Sequence, residues 1–460
     1  MLDNIHKTDG KKTRPILGDL PLLAYQTSGP SRGKVGFRNL VEHERSIVTL
    51  SFAEACRNIL VLGGTGSGKT CGVILPALDQ LIDRHCAGLV LDIKGKFRFL
   101  AREYPGRVKI LGAGDDALRL NLIGDLNTQE FMGLLKIMYG DIDTKQKRWF
   151  EEGVRQAGLI HAYLMASGQI ATLDKVEQLL TAPDIFVDQL SSWLETSPHL
   201  PPELMRLLHR ACRNPFSITA IGGFHGQTVH GMDASQQYEW YIGDVCGMLA
   251  PFRQNRVLTE SFCAPQSTLS LSSLIYQQRK TLIFSGNSLQ GEEGIARVLK
   301  SLFMKTIRES SGETRSQLGC GRTFFTFLVM DEYQHFVFAP RDNNRSIFPD
   351  DNRFFDTSRE YGHINLIAVQ SLESLLAQVP VASARTIISN CMNWLALTPL
   401  IDGTTQDHLL RLASVSGDDV LRSCVSPDFL GQGFFYRGGC FSPHGKNFMT
   451  IRTGALSGYP

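Results

Sequence analysis

The sequence predicts an α/β fold, a mostly parallel sheet interrupted by an all-helical segment, on three observations. A short apolar run at residues 58–62 leads into GGTGSGKT and then into a helix-like stretch. Other apolar runs, among them AGLVLD at 87–92 and TFFTFLVMDE at 323–332, are continuous rather than alternating, as in parallel strands buried on both faces. Between these, from about residue 126 to 215, apolar residues recur instead at spacings of three and four.

Taken in order, residues 1–45 are rich in Gly, Pro, Ser and basic residues, including SGPSRGKVGF at 29–38, and are expected to form an arm leading into a short strand. After GGTGSGKT, CGVILPALDQLID carries apolar positions at helical spacing, and Pro76 is expected to kink or shorten that helix. AGLVLDIKGKF at 87–97 is a strand that ends on Asp92 and Lys94 before Gly95. In the helical region Phe150, Val154, Ala157, Ile160 and Leu164 define one buried face. Strand patterns return at 279–286, 323–332, 364–371 and 393–400, and LGQGFFYRGG at 430–439 is expected to close a hairpin around Arg437-Gly438-Gly439. The β-rich part is therefore discontinuous. We expect an N-terminal arm at 1–45, a nucleotide-binding domain built from 46–125 and 265–460, and an all-helical insertion at 126–264.

Composition excludes little within the soluble globular class. The 460 residues suffice for two or three sizeable cores, and a net charge of +2 leaves any nucleic-acid contact to local basic surface. No apolar run of eighteen residues occurs, and MLDNIHKTDGKK lacks the apolar stretch of a signal peptide, so the chain is expected in the cytoplasm. Ten cysteines lie scattered without a CxxC pair, which argues for reduced thiols rather than metal ligation or a disulfide framework. There is no internal repeat and no low-complexity segment.

The octapeptide at 63–70 carries the first functional expectation. Gly63, Gly64, Gly66 and Gly68, with Thr65 and Ser67 between them, let successive backbone N–H groups turn inward around a phosphate at a helix N-terminus. Lys69 is then placed to reach β- and γ-phosphates, and the Thr70 hydroxyl to ligate Mg²⁺. The second is the pair Asp331-Glu332, ending a buried strand at the sheet edge where ligands of open α/β sheets bind. Asp331 is expected to hold Mg²⁺ through water and Glu332 to polarise the attacking water. Two adjacent acids argue for hydrolysis of ATP, and no NKxD guanine-reading motif appears. Gln370, at the end of INLIAV, is placed to contact the γ-phosphate or that water.

These residues resemble the type IV secretion coupling ATPases of conjugation, within the FtsK-like and HerA-like RecA-fold motors. The likeness is carried by GGTGSGKT leading to Pro76, DIKGKF, MDEYQHF and SREYGHINLIAVQSLESL, and by their order around a helical insertion. It implies a RecA-like P-loop NTPase in which Lys69, Thr70, Asp331, Glu332 and Gln370 form one half of an ATP site. Arg359 is the arginine finger that the resemblance would offer to a neighbouring subunit. It further implies a hexameric ring threaded by DNA, with a relaxase and an inner-membrane secretion complex as partners. Two features depart from the family. No transmembrane helix precedes the core, so either the chain docks to a membrane complex through a partner or it is a soluble relative with a different task, and Lys96 stands where the family carries an acid.

For DNA contact the sequence offers two basic groups. Lys145, Lys147 and Arg148 precede Trp149 and Phe150, and Arg206, Arg210 and Arg213 lie at helical spacing. Either is equally a solvated helix surface over an apolar core. Two other function classes share the ATP chemistry: a duplex-DNA motor of DNA processing or defence, and a nucleotide-regulated receptor for protein cargo.

Overall fold

Buried β-branched and aliphatic runs make the strands, and their spacing across the chain makes the sheet discontinuous. A computed structural model describes residues 19–26, 47–112, 114, 116–140, 147–197, 199–224, 232–265, 270–286, 291–310, 324–339, 347–397, 400, 402–413, 432–437 and 448–453. The strands are β1 (Asp19–Gln26), β2 (Ile47–Ser51), β3 (Ile59–Leu62), β4 (Ala87–Asp92), β5 (Val108–Gly112) and β6 (Ala117–Leu118). They continue with β7 (Thr281–Ser285), β8 (Thr326–Met330), β9 (His363–Val369), β10 (Asn393–Leu397), β11 (Gln432–Arg437) and β12 (Phe448–Thr453). All twelve join one sheet in the order β2-β1-β12-β11-β10-β3-β9-β8-β4-β7-β5-β6. From β10 to β6 every neighbouring pair is parallel. The pairs from β10 to β2 are antiparallel.

Sequence and structure agree on the α/β class and on each expected strand of the parallel run. One expectation is revised, one lies partly outside the described residues and one is met with added local detail. The segment expected to be an arm contains β1, which pairs β2 and β12, so part of it extends the sheet; SGPSRGKVGF lies outside the described residues. β11 and β12 pair antiparallel as a hairpin would, and the expected turn at Gly438-Gly439 is likewise outside them. The regular α-helix around Pro76 is short, beginning only at Leu75. A π-type turn over Thr70–Ile74 precedes it, and Pro76 sits in the first turn of the Leu75–Asp83 helix, where its missing N–H is not needed.

Alternate residues of the strands feed opposite faces. Leu60 and Leu62 of β3 join one apolar cluster, and Ile59 and Val61 join the other. The first cluster runs on into the helical region, where Phe150, Val154, Ala157, Ile160 and Leu164 are all buried as their spacing predicts. Helices fill this region through the Arg256–Phe262 helix. One of them, Thr128–Tyr139, starts where Asn127 accepts from the Glu130 amide while the Glu130 carboxylate accepts from the Asn127 amide. That helix packs on Glu292–Glu309, and so ties the helical layer to the sheet.

Candidate nucleotide site

Four adjacent parallel strands, β3, β9, β8 and β4, deliver their C-terminal ends to one edge of the sheet. β3 ends at the glycine loop, β9 at Gln370, β8 at Asp331-Glu332 and β4 at Asp92. Residues 261 apart in sequence thereby meet: the Thr70 hydroxyl donates to Asp331 Oδ2 at 2.8 Å.

The loop folds as its glycines allow. Gly66 and Gly68 have φ of 80° and 90°, a region that residues with a Cβ rarely adopt. A Cβ on Gly63 would stand 3.0 Å from the Leu397 carbonyl oxygen and closer still to the Ser67 hydroxyl. Thr65 and Gly66 are exposed, while Gly63, Gly64 and Ser67 are buried. Lys69 is buried and donates to the Gly63 carbonyl and, at 3.2 Å, to the Gly64 carbonyl. Burial pushes its ammonium below the ordinary lysine value, and the charges of Glu332 and Asp331 oppose that shift.

Glu332 takes up the left-handed conformation, φ 60°, as the chain turns off β8. Its Oε1 accepts from Lys94 Nζ at 2.7 Å, and its Oε2 from Gln334 Nε2 at 2.8 Å and Gln370 Nε2 at 3.0 Å. Burial alone would raise this carboxyl; the donors and the Lys94 charge outweigh it and bring the pKa to about 2. A carboxylate offers about four lone-pair positions, so three donors leave about one for a further partner. Beside it, Asp331 Oδ1 is buried with no hydrogen-bond partner, an unmet acceptor of the kind a cation would satisfy. Asp92 lies level with Asp331 on the neighbouring strand and accepts from the Phe97 amide at 2.7 Å. Burial, helped by the Asp331 charge and opposed by that amide, pushes its carboxyl to about 6.

Thus Lys69, Thr70, Asp331, Glu332 and Gln370 stand together as the sequence predicts, and a buried lysine, a hydroxyl and an unmet carboxylate oxygen fit a magnesium-bound nucleotide. Arg359 does not join them. It is exposed on the Ser358–Tyr361 turn before β9, at the opposite sheet edge from Gln370, and has no ion-pair partner among the described residues. Sequence reasoning missed Gln334 and the pairing of Lys94 with Glu332. The first had a signal in its place two residues after the acid; the second had none, because the partners are 238 residues apart. Lys96 is exposed.

The overall arrangement matches known proteins in fold. The chain has the fold of a conjugative coupling protein. The bacterial conjugative coupling protein TrwB, in its TrwBdeltaN70 form, superposes with a TM-score of 0.57 at 13% identity, over 89% of this chain and 87% of that one. TrwB in complex with the ATP analogue ADPNP gives 0.58 at 13% identity, over 87% and 86%. VirB4 of Thermoanaerobacter pseudethanolicus gives 0.51 at 13% identity, over 90% and 94%. In sequence, residues 39–188 match the family model described as helicase HerA, central domain. No curated protein matches the chain in sequence. The structural likenesses show a RecA-like α/β fold shared with TrwB and VirB4.

Of the expected DNA contacts, Phe150 is ruled out: it is fully buried and packs on Tyr139 at 4.3 Å, because the helix turns that face into the core. Trp149 instead packs at a tilt on Tyr241, with ring centres 5.2 Å apart, and meets Trp240, which is 57% exposed, edge to face. Arg148, Arg206, Arg210 and Arg213 are exposed, and Lys145 lies outside the described residues. No described helix is long and apolar enough to cross a membrane.

Proposed function

We propose that this chain is an ATP-hydrolysing motor that moves DNA, or a relaxase–DNA substrate, in conjugation or type IV secretion. The observation that carries the proposal is the convergence of Lys69, the Thr70–Asp331 pair and Glu332 at one sheet edge, on a fold that TrwB uses in complex with ADPNP and, in another form, with ADP and Mg2+. Bound ATP supplies the phosphoryl group that passes to water. The glycine-loop amides and Lys69 hold the phosphates, and Thr70 and Asp331 hold Mg²⁺. Glu332, ionised at neutral pH, orients the attacking water through its remaining lone pair, assisted by Gln370.

Arg359, exposed and away from its own chain's site, acts on a neighbour's γ-phosphate, which makes the working form a ring of like subunits, hexameric in our reading. Residues 126–264 form the inserted helical domain on the sheet face, and the chain works in the cytoplasm, reaching a secretion complex through partners. The match of residues 39–188 to a HerA domain supports a second reading, a duplex-DNA motor outside conjugation. Steady-state ATP hydrolysis with no DNA, single-stranded DNA or duplex DNA, with Lys69→Ala as blank, separates these readings. Stimulation by single strands favours conjugative transfer and stimulation by duplex favours the second reading. Lys69-dependent binding without DNA-responsive turnover overturns both and favours a cargo receptor.

A further inference from the structure

The helix Asp351–Thr357, which leads directly into Ser358 and Arg359, is fixed at both ends by buried polar clusters. At its start Asp351 is fully buried and takes Lys300 Nζ on both oxygens, at 2.6 and 2.7 Å. Its Oδ2 also accepts from the Tyr333 hydroxyl at 2.7 Å and from the Phe338 amide at 3.0 Å. Lys300 completes its shell on the Phe336 carbonyl at 2.6 Å. Tyr333 directly follows Glu332, so this cluster grips the turn that holds the site's acid.

At the far end Ser358 is fully buried and donates to Asn58 Oδ1 at 3.2 Å. Asn365 of β9 donates to the same oxygen at 2.8 Å and to Ser358 Oγ at 3.0 Å. Asn58 itself donates to the carbonyls of Phe355 and Asn390, at 3.0 and 2.9 Å. It adopts φ 62°, which asparagine tolerates better than most residues, one position before β3 and the phosphate loop. The strands on either side and the Arg359 turn are thus joined through three side chains.

Fully satisfied polar clusters of this kind rigidify the elements that they join, and each hydrogen bond fixes direction as well as distance. We propose that Asp351–Thr357 is a strut that fixes Arg359 relative to Glu332 of its own chain, with Tyr333 and Ser358 as positioning residues for the arginine that the neighbouring subunit receives. The proposal rests on the reading of Arg359 as a group acting in trans. The strut spans about 10 Å at about 1.5 Å per residue, so a change at Glu332 in one subunit reaches the next subunit's site through a single short rigid element.

Subunit mixing tests it, because a site formed between two chains needs the phosphate loop of one and the arginine of the other. Ser358→Ala and Tyr333→Phe each remove one hydroxyl and leave the packing. Each is expected to lower kcat at least about ten-fold with ATP affinity unchanged, within the roughly hundred-fold that a misplacement of about 1 Å can bring. Mixed with Lys69→Ala subunits, either variant should regain turnover; mixed with Arg359→Ala subunits, neither should. Rescue by Arg359→Ala instead would locate the lesion in the variant's own phosphate loop or Glu332, and overturn the strut. Wild-type turnover in both variants would overturn it too. Full turnover of Arg359→Ala would remove the trans reading and the strut together, whereas rescue of Arg359→Ala by Lys69→Ala without rescue of the two variants would remove the strut alone.

Discussion

Glu332→Gln separates a chemical role from a structural one by the size of the two effects. The substitution removes the charge facing Lys94; the lysine side chain is 50% exposed but that of Glu332 only 13%, so the pair stands between the exposed range of about 0.2–1 kcal/mol and the buried range of about 3–5 kcal/mol. The bonds from Gln334 and Gln370 survive if the new amide turns its oxygen toward them, leaving its NH2 facing Lys94. The left-handed backbone at 332 is retained. Folding stability should therefore fall by about 1–3 kcal/mol, a melting shift of about 2–12 °C even on the scale of a smaller domain. The loss of an acceptor for the attacking water should lower kcat by about 10²–10⁴-fold. At about 1.36 kcal/mol per decade that is roughly 3–5 kcal/mol of barrier. Single-turnover hydrolysis and equilibrium binding of a fluorescent ATP analogue, with a melting curve on the same preparation, give all three quantities. Turnover within about ten-fold of wild type at unchanged affinity would refute the assignment, because an intact rate cannot coexist with the loss of a catalytic acceptor of that magnitude.

Lys94→Met removes the cation on Glu332 Oε1, so the Glu332 carboxyl should rise from about 2 toward its ordinary value. A depressed carboxyl contributes stability above its unfolded value that is lost as pH falls through the folded one; in Lys94→Met that acid loss should be smaller and complete at a higher pH, read as melting temperature from pH 2 to 6. Asp351→Asn should destabilise the fold by about 3–5 kcal/mol, since it leaves the fully buried Lys300 without its counter-charge. Lys300 is already held below the ordinary lysine value by burial, so the unfolded chain binds the extra proton, and the variant should regain stability as pH rises toward 9 in a thermal-melt series. Gly63→Ala should weaken nucleotide binding in a titration with an ATP analogue, because the new methyl would press on the Leu397 carbonyl and on Ser67 and shift the loop.

The nucleotide half of the site was legible because its signals are local. GGTGSGKT after four apolar residues and Asp331-Glu332 after β8 each state their own position at a strand end, and parallel strands bring such ends to one edge. What could not be read was pairing across the fold. Asn58 is, in sequence, an ordinary polar residue before a strand, and only the register of β3 beside β9 makes it the acceptor for Ser358 and Asn365. Lys300 looks like a surface residue in a helix of mixed character, yet helix packing turns it wholly inward, onto Asp351. Phe150 shows the reverse: the helical period that marks it as core decides against its place in a basic and aromatic cluster. β1 was hidden because DLPLLAYQ contains a proline and lies in a stretch rich in Gly, Pro and Ser, and because one of its two partners, β12, stands at the other end of the sequence.

The order of strands in the sheet also sets a timetable for folding. β3, which opens the phosphate loop, pairs on its two sides with β9 and β10, and Asn58 meets Asn365 across 307 residues. A ribosome-bound chain that has made the loop and the helical region still lacks both neighbours of that strand. The nucleotide site should therefore be among the last parts to form, later than the helices it precedes in sequence, since non-local strand pairing is slow and requires closure of a very long loop. Nascent chains stopped before β9 should hold a helical layer and no nucleotide, and ATP binding reports completion of the whole sheet rather than of its first third.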